Sequence, residues 1–333
     1  MRYFVVFLLL LTSLRATALE YYAWHTKDSH VPLILPVPEG ATAEGIADLY
    51  LKRLQQNSEM VELFEARMPH IETVRFQKLS NSDITQMSML LANKTTDYGQ
   101  ESKRVKEFAR IFKSSGLHSG LWPLGIGLIF KQHERKKIHK DIAEKFPLLV
   151  AMGGDDIGTH LYKQPDIHAQ YTNATRDRLE GEVILEYIKA EKGFMIGVCR
   201  GSQLTAALLG YKLVQDLPSQ RPQSIAHSDH WHEIKLAKTT HNILSSVVGY
   251  KSTTIKVNSL HHQAVEFKPG GFLELAARAS DGTVEATEFK NGRGVLVQFH
   301  PELMNNDLGD KILSQIVRSR VLSSANRCQA IFL

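Results

Sequence analysis

Between residues 102 and 208 the apolar positions switch repeatedly between two periods. Val105, Phe108, Ala109 and Phe112 recur at helical spacing and stop near Gly116, whereas residues 124–130 form a compact apolar run that reads as a strand. Ile138, Ile142 and Phe146 return to helical spacing, and residues 148–152 are again a compact run. Leu179, Val183, Ile184, Tyr187 and Ile188 then predict a helix leading into a strand at Phe194, Met195, Ile196 and Val198. Alternation of this kind predicts a parallel sheet covered by helices on both faces. After residue 208 the pattern favours strands, at 233–236, 253–257, 272–279 and 284–289, with Asn291-Gly292 as a hairpin turn into a strand over 294–299. A closing helix carries Leu308, Ile312, Leu313, Ile316 and Val317 on one face. The expected fold is α/β: three layers, doubly wound, a mostly parallel sheet and an antiparallel hairpin near its C-terminal end.

The first hundred residues say less. Residues 31–37 suit a strand, but Pro32 and Pro36 place it at an edge or make it an extended lead-in. Ile46, Leu49, Tyr50 and Leu54 predict a helix over 42–55, and a second helical stretch is expected over 59–67. Residues 1–18 differ again: Arg2 opens a short positive region, residues 3–14 are apolar but too short for a comfortable span, and Ala16-Thr17-Ala18 offers a small-x-small cleavage site. The expectation is a secretory signal cleaved after Ala18, hence an exported, periplasmic or secreted protein with no stable membrane span; the alternative is a buried N-terminal helix or an uncleaved anchor.

A length of 333 residues suits one large domain or two small ones. The formal net charge of +5 comes from scattered basic residues without interleaved aromatics, which argues against a nucleic-acid partner. Two cysteines, Cys199 and Cys328, make a poor disulfide framework even in an exported chain, and both are expected to be free. Asn93 and Asn173 fit the glycosylation acceptor pattern, or are chance matches to it.

Candidate chemistry concentrates at residues 194–208. Cys199 falls where strand becomes helix, with Gly197 and Gly201 on either side allowing a sharp turn and a close approach to substrate, the logic of a nucleophile elbow. The following helix aims its N-terminal N–H groups and positive dipole end at the sulfur, which favours a thiolate. A buried structural cysteine is the competing reading. His300 follows a buried strand, Pro301 stops that strand, and Glu302 is placed to reach back to the imidazole, so that Cys199, His300 and Glu302 suit the roles of nucleophile, base and orienter. Oxyanion donors would be the backbone N–H of Arg200 and one from Gly153-Gly154, at the carboxyl end of the 148–152 strand. His227, His230 and His232 form a cluster that reads as a solvated face rather than a zinc site.

Residues 197–203, GVCRGSQ, with 298–302, QFHPE, resemble the class I glutamine amidotransferase fold, and 257–263, VNSLHHQ, resembles the gamma-glutamyl-gamma-aminobutyrate hydrolase family, peptidase C26. Arg176-Asp177 with Glu180, Gln215-Asp216 and residues 281–286, DGTVEA, fit the same pattern, in order, over 148–304. The resemblance implies hydrolysis of a γ-glutamyl amide through a thioester on Cys199, with His300 as base and then acid and Glu302 as orienter. It implies no cofactor and no metal. It places Gly153, Gln203, Asn258, His261 and His262 at a binding site for a small γ-glutamyl substrate. Thr159, where proline is usual, and Gly210-Tyr211, in place of paired glycines, depart from the pattern. The implied organisation is a signal (1–18), an N-terminal extension or cap (19–100) and the hydrolase-like domain (101–333), with a homodimer left open. A glutaminase subunit serving a synthetase and a non-catalytic binding protein are the alternative functions.

Overall fold

The computed structural model describes residues 19–27, 31–56, 73–92, 100–249 and 253–323. The signal segment, the 59–67 helix, Asn93 and Cys328 lie outside these residues.

Twelve strands form one sheet. In chain order they are β1 (Glu20–Thr26), β2 (Leu33–Val37), β3 (Thr73–Lys78), β4 (Met87–Ala92), β5 (His118–Pro123), β6 (Leu148–Ala151), β7 (Phe194–Val198), then, after β8 (Lys212–Val214), β9 (Ser228–Leu236), β10 (Thr254–Leu260), and, after β11 (Ala264–Glu266), β12 (Leu273–Ala279), β13 (Val284–Phe289) and β14 (Gly294–Val297). The spatial order is β10-β9-β12-β13-β14-β7-β6-β4-β5-β2-β1-β3, while β8 and β11 pair separately. The pairings from β14 through β7, β6, β4 and β5 to β2 are parallel, and every pairing outside that core is antiparallel. Strands in the middle are buried on both faces, so β6 and β7 read as continuous apolar runs without alternation.

The long helices are α1 (Ala43–Gln56), α2 (Gln100–Ser114), α3 (Gln132–Lys145), α4 (Ala174–Ala190), α5 (Arg200–Leu208) and α6 (Asp307–Ile316). α3, α4 and α5 pack side by side, and α2 packs on α6, giving one helical layer on each face of the sheet. The caps explain several starts. Asn173 accepts from the Arg176 N–H, Asn306 accepts from the Gly309 N–H, and Glu134 reaches back to the Lys131 N–H at 2.7 Å. The hairpin predicted at Asn291-Gly292 joins β13 to β14, with Gly292 at φ +72°.

Two expectations are corrected. The strand expected at 124–130 is a 3-10 turn, Leu124–Leu128, and the strand lies one step earlier, at His118–Pro123. Gly125 and Gly127 explain this, because a Cβ on them would fall 2.6 Å from Leu54 and from Leu179; the run serves close packing under α1 and α4. Nor is β2 an edge: it lies between β1 and β5. Its prolines are tolerated because β5 meets it only at Leu33–Leu121, where the Pro32 carbonyl accepts the Leu121 N–H, so neither missing N–H is needed. Residues 19–100, read from the sequence as a partly helical extension, contribute β1 to β4 to this same sheet, with β4 between β5 and β6.

Candidate active site

Because β6, β7 and β14 are adjacent and parallel, their carboxyl ends deliver Gly153-Gly154, Cys199 and His300 to one rim of the sheet. Cys199 sits between β7 and α5 with φ +50° and ψ −109°, a backbone conformation that costs a non-glycine residue about 1–3 kcal/mol. Its surroundings impose it. The Cys199 N–H donates to the Val297 carbonyl at 2.8 Å, its carbonyl accepts from the Gln203 N–H at 3.0 Å, and a Cβ on Gly201 would fall 2.0 Å from the Ala151 carbonyl oxygen. The glycine after the cysteine therefore lets α5 press directly on β6. Cys199 is buried and not in a disulfide.

The imidazole of His300 is fixed at Nδ1, which lies 2.8 Å from Oε1 of the buried Glu302, while Nε2 makes no hydrogen bond among the described residues and is left to face the neighbouring Cys199. Burial alone would depress the His300 pKa, but the charges of Glu302 and Cys199 override it and raise it to about 9. Asn258, at the carboxyl end of β10, clamps the His300 backbone: its carbonyl accepts the His300 N–H and its amide donates to the His300 carbonyl, both at 2.9 Å. Gly153 packs under the ring, and a Cβ there would lie 2.7 Å from His300 Cε1.

Behind the elbow lies a buried charge network. The Arg200 guanidinium pairs with Asp177 at 2.5 Å and with Glu180, and Arg176 pairs with Glu180 at 2.9 Å. Burial favours the neutral acid at Glu180, yet the two arginines hold its pKa below the ordinary value. At Asp177 burial wins, and its pKa is raised despite Arg200 and the Gly158 N–H. The sequence supplied these residues only as a motif; the structure makes them the anchor of the first residue of α5.

The other sequence candidates divide into two groups. Gln203 is buried next to the site, donating to the Gln263 carbonyl and to Gln298. His262 instead sits between Asp216 at 3.2 Å and Asp156 at 3.1 Å, and Asp156 also accepts from Gln263. His261 points towards Glu285. Of the three histidines read as a solvated face only His230 is exposed; His227, just before β9, and His232, within it, are buried around Glu285 with His261. The departure at Gly210-Tyr211 is absorbed by packing: Tyr211 stacks on Phe267, and its hydroxyl accepts the Leu273 N–H.

Residues 117–302, more than half of the chain, match the sequence profile of the peptidase C26 family. The chain belongs to the peptidase C26 family. Among curated relatives, Protein NtpR of Enterococcus hirae is 38% identical over 165 residues, covering 47% of this chain and 67% of that protein. A putative glutamine amidotransferase-like protein, YvdE, of Lactococcus lactis is 38% identical over 160 residues, covering 46% of this chain and 65% of that protein. The chain thus spans about two thirds of the length of these relatives. The glutaminase domain of Trypanosoma brucei CTPS, solved with bound acivicin, superposes with a TM-score of 0.50 at 13% identity, over 70% of this chain and 93% of that one, which establishes a shared class I glutamine amidotransferase fold. Membership in peptidase C26, with amidotransferase-like relatives, supports a hydrolase or amidotransferase acting on amide bonds.

Proposed function

We propose that this peptidase C26 member is an exported enzyme that hydrolyses γ-glutamyl amide bonds of small compounds through a thioester on Cys199. The observation that carries the reading is the fixed His300–Glu302 pair, at 2.8 Å, on the strand end adjacent to a strained Cys199. In the first half-reaction the Cys199 thiolate attacks the γ-carbonyl carbon. The oxyanion is held by the N–H groups of Arg200, in the opening turn of α5, and Gly154. His300, an imidazolium when its pKa is about 9, gives its Nε2 proton to the departing amine as the C–N bond breaks. In the second half-reaction His300 takes a proton from water, which attacks the thioester and releases glutamate and the thiolate. Glu302 and Asn258 act as positioning residues. Gln203 supports the substrate side.

The test is glutamate release from a panel of γ-glutamyl amines and peptides, with glutamine included because relatives carry amidotransferase-like names. Wild type should turn over at least one γ-glutamyl compound and Cys199→Ala none. Equal turnover by both would overturn the reading. Export rests on residues 1–18, and fractionation of a full-length fusion should place the mature chain, beginning after Ala18, outside the cytoplasm.

A further inference from the structure

Four buried side chains gather beside the candidate active site and are not used by it. His227 precedes β9, His232 lies in β9, His261 follows β10, and Glu285 is in β13. The partners of two of these rings fix their tautomers. His227 Nε2 lies 2.9 Å from the Asp281 carboxylate, which can only accept when ionised, so Nε2 carries a proton and, in the neutral ring, Nδ1 presents a lone pair. His261 Nδ1 lies 2.9 Å from the Gln263 carbonyl oxygen, so Nδ1 carries the proton and Nε2 presents a lone pair. Both lone pairs face one anion: His227 Nδ1 is 3.3 Å and His261 Nε2 is 3.5 Å from Glu285 Oε1. Ser259, 3.4 Å from His227 Nδ1, directs its hydroxyl to the His227 carbonyl at 2.7 Å instead. His261 Nε2 and Glu285 Oε2 are buried with no hydrogen-bond partner among the described residues. Two lone pairs against a buried carboxylate repel unless positive charge lies between them.

We propose that His227 Nδ1, His261 Nε2 and the Glu285 carboxylate bind a divalent transition-metal ion of the zinc class. The three donor atoms lie within 4.8 Å of one another. Zinc-ligand bonds of about 2.0–2.1 Å at tetrahedral angles put neighbouring donors roughly 3.3 Å apart, close to the 3.3 and 3.5 Å that separate Glu285 Oε1 from the two imidazole nitrogens. Imidazole and carboxylate donors suit zinc, cobalt or nickel rather than magnesium or calcium. The outer partners of a metal site are already present: Asp281 on His227, the Gln263 carbonyl on His261, and His232 Nε2 bonded to Glu285 Oε1 at 3.1 Å. A divalent ion balances Glu285 and Asp281 together. Two protons would balance them too, but would place two imidazolium rings with centroids 4.8 Å apart. The ion would tie the end of β10 to β9 and β13, three residues from the Asn258 clamp on His300.

The experiment uses tag-free protein carrying Cys199→Ala and Cys328→Ser, so that neither thiol can bind metal. It is stripped with chelator, dialysed against zinc and assayed by plasma mass spectrometry and thermal unfolding. The expected result is about one zinc per chain, a Tm higher by roughly 5 °C or more than that of stripped protein, and loss of both effects in Glu285→Gln and His261→Ala. Substitution with cobalt should give a ligand-field absorption that Glu285→Gln lacks. Less than about one zinc per ten chains, with no change in Tm, would overturn the proposal and leave protons as the charge between these groups. Should the variants fail to fold, the stripped and reloaded parent protein alone decides.

Discussion

Glu302→Gln removes one charge from beneath His300 and almost nothing else. The carboxylate and imidazole are both buried, 2.8 Å apart, and Glu302 Oε2 has no hydrogen-bond partner among the described residues. Burial is the largest influence on the His300 pKa and pulls it down; Glu302 and Cys199 together lift it to about 9. With the carboxylate gone, Cys199 alone opposes burial. The alkaline limb of kcat, where His300 loses the proton it gives to the leaving amine, should move down by roughly 1–3 pH units, each worth about 1.4 kcal/mol. The amide that replaces the carboxylate can also hold the wrong tautomer, as in other nucleophile–base–orienter sites, and kcat should fall roughly 10²–10⁴-fold with KM changed little. Stability carries the same sign. A pKa raised from the ordinary 6.5 to about 9 contributes fully below pH 6.5 and is lost as pH rises through 9, in all roughly 3 kcal/mol. Wild type should therefore lose resistance to urea between pH 6.5 and 9.5, and Glu302→Gln should show a smaller loss. A variant with wild-type kcat and an unmoved alkaline limb would refute this account of His300.

Asn258→Ala leaves the buried His300 N–H unpaired, at about 1–3 kcal/mol, and its carbonyl with the Leu303 N–H alone, and should lower kcat more than it raises KM in steady-state assays. Gly201→Ala places a Cβ 2.0 Å from the Ala151 carbonyl oxygen, a backbone atom that cannot swing aside, and should cost roughly 1–3 kcal/mol or more in urea unfolding. Glu180→Gln leaves Arg176 and Arg200 short of a carboxylate in the interior and should destabilise by about 3–5 kcal/mol, measured the same way.

What could be read along the chain was whatever one element carries by itself. The runs at 148–152 and 194–198 are strands because a doubly covered parallel strand has no polar face to hide it, and the elbow is legible because both glycines are local. β3 escaped notice because its TVRFQK is exposed or half-exposed on nearly every side, and β4, MSMLLA, because Met, Leu and Ala carry no strand preference and only its place between β5 and β6 makes it one. The Arg200 anchor joins residues 20 and 23 positions apart on two elements, and the His227, His261 and Glu285 cluster joins three strand segments through their register. No period along one segment encodes either. The same holds for Asn258: the motif placed it near the site, and pairing at the sheet edge turned it onto the backbone of His300.

The central claim is a covalent γ-glutamyl intermediate on Cys199. Rapid acid quenching during turnover of a γ-glutamyl anilide, followed by peptide mass spectrometry, tests it directly. The account predicts one glutamyl group on the peptide containing Cys199, lost on treatment with hydroxylamine and absent from Cys199→Ala. A glutamyl group on another residue, or undiminished glutamate release by Cys199→Ala, would contradict it.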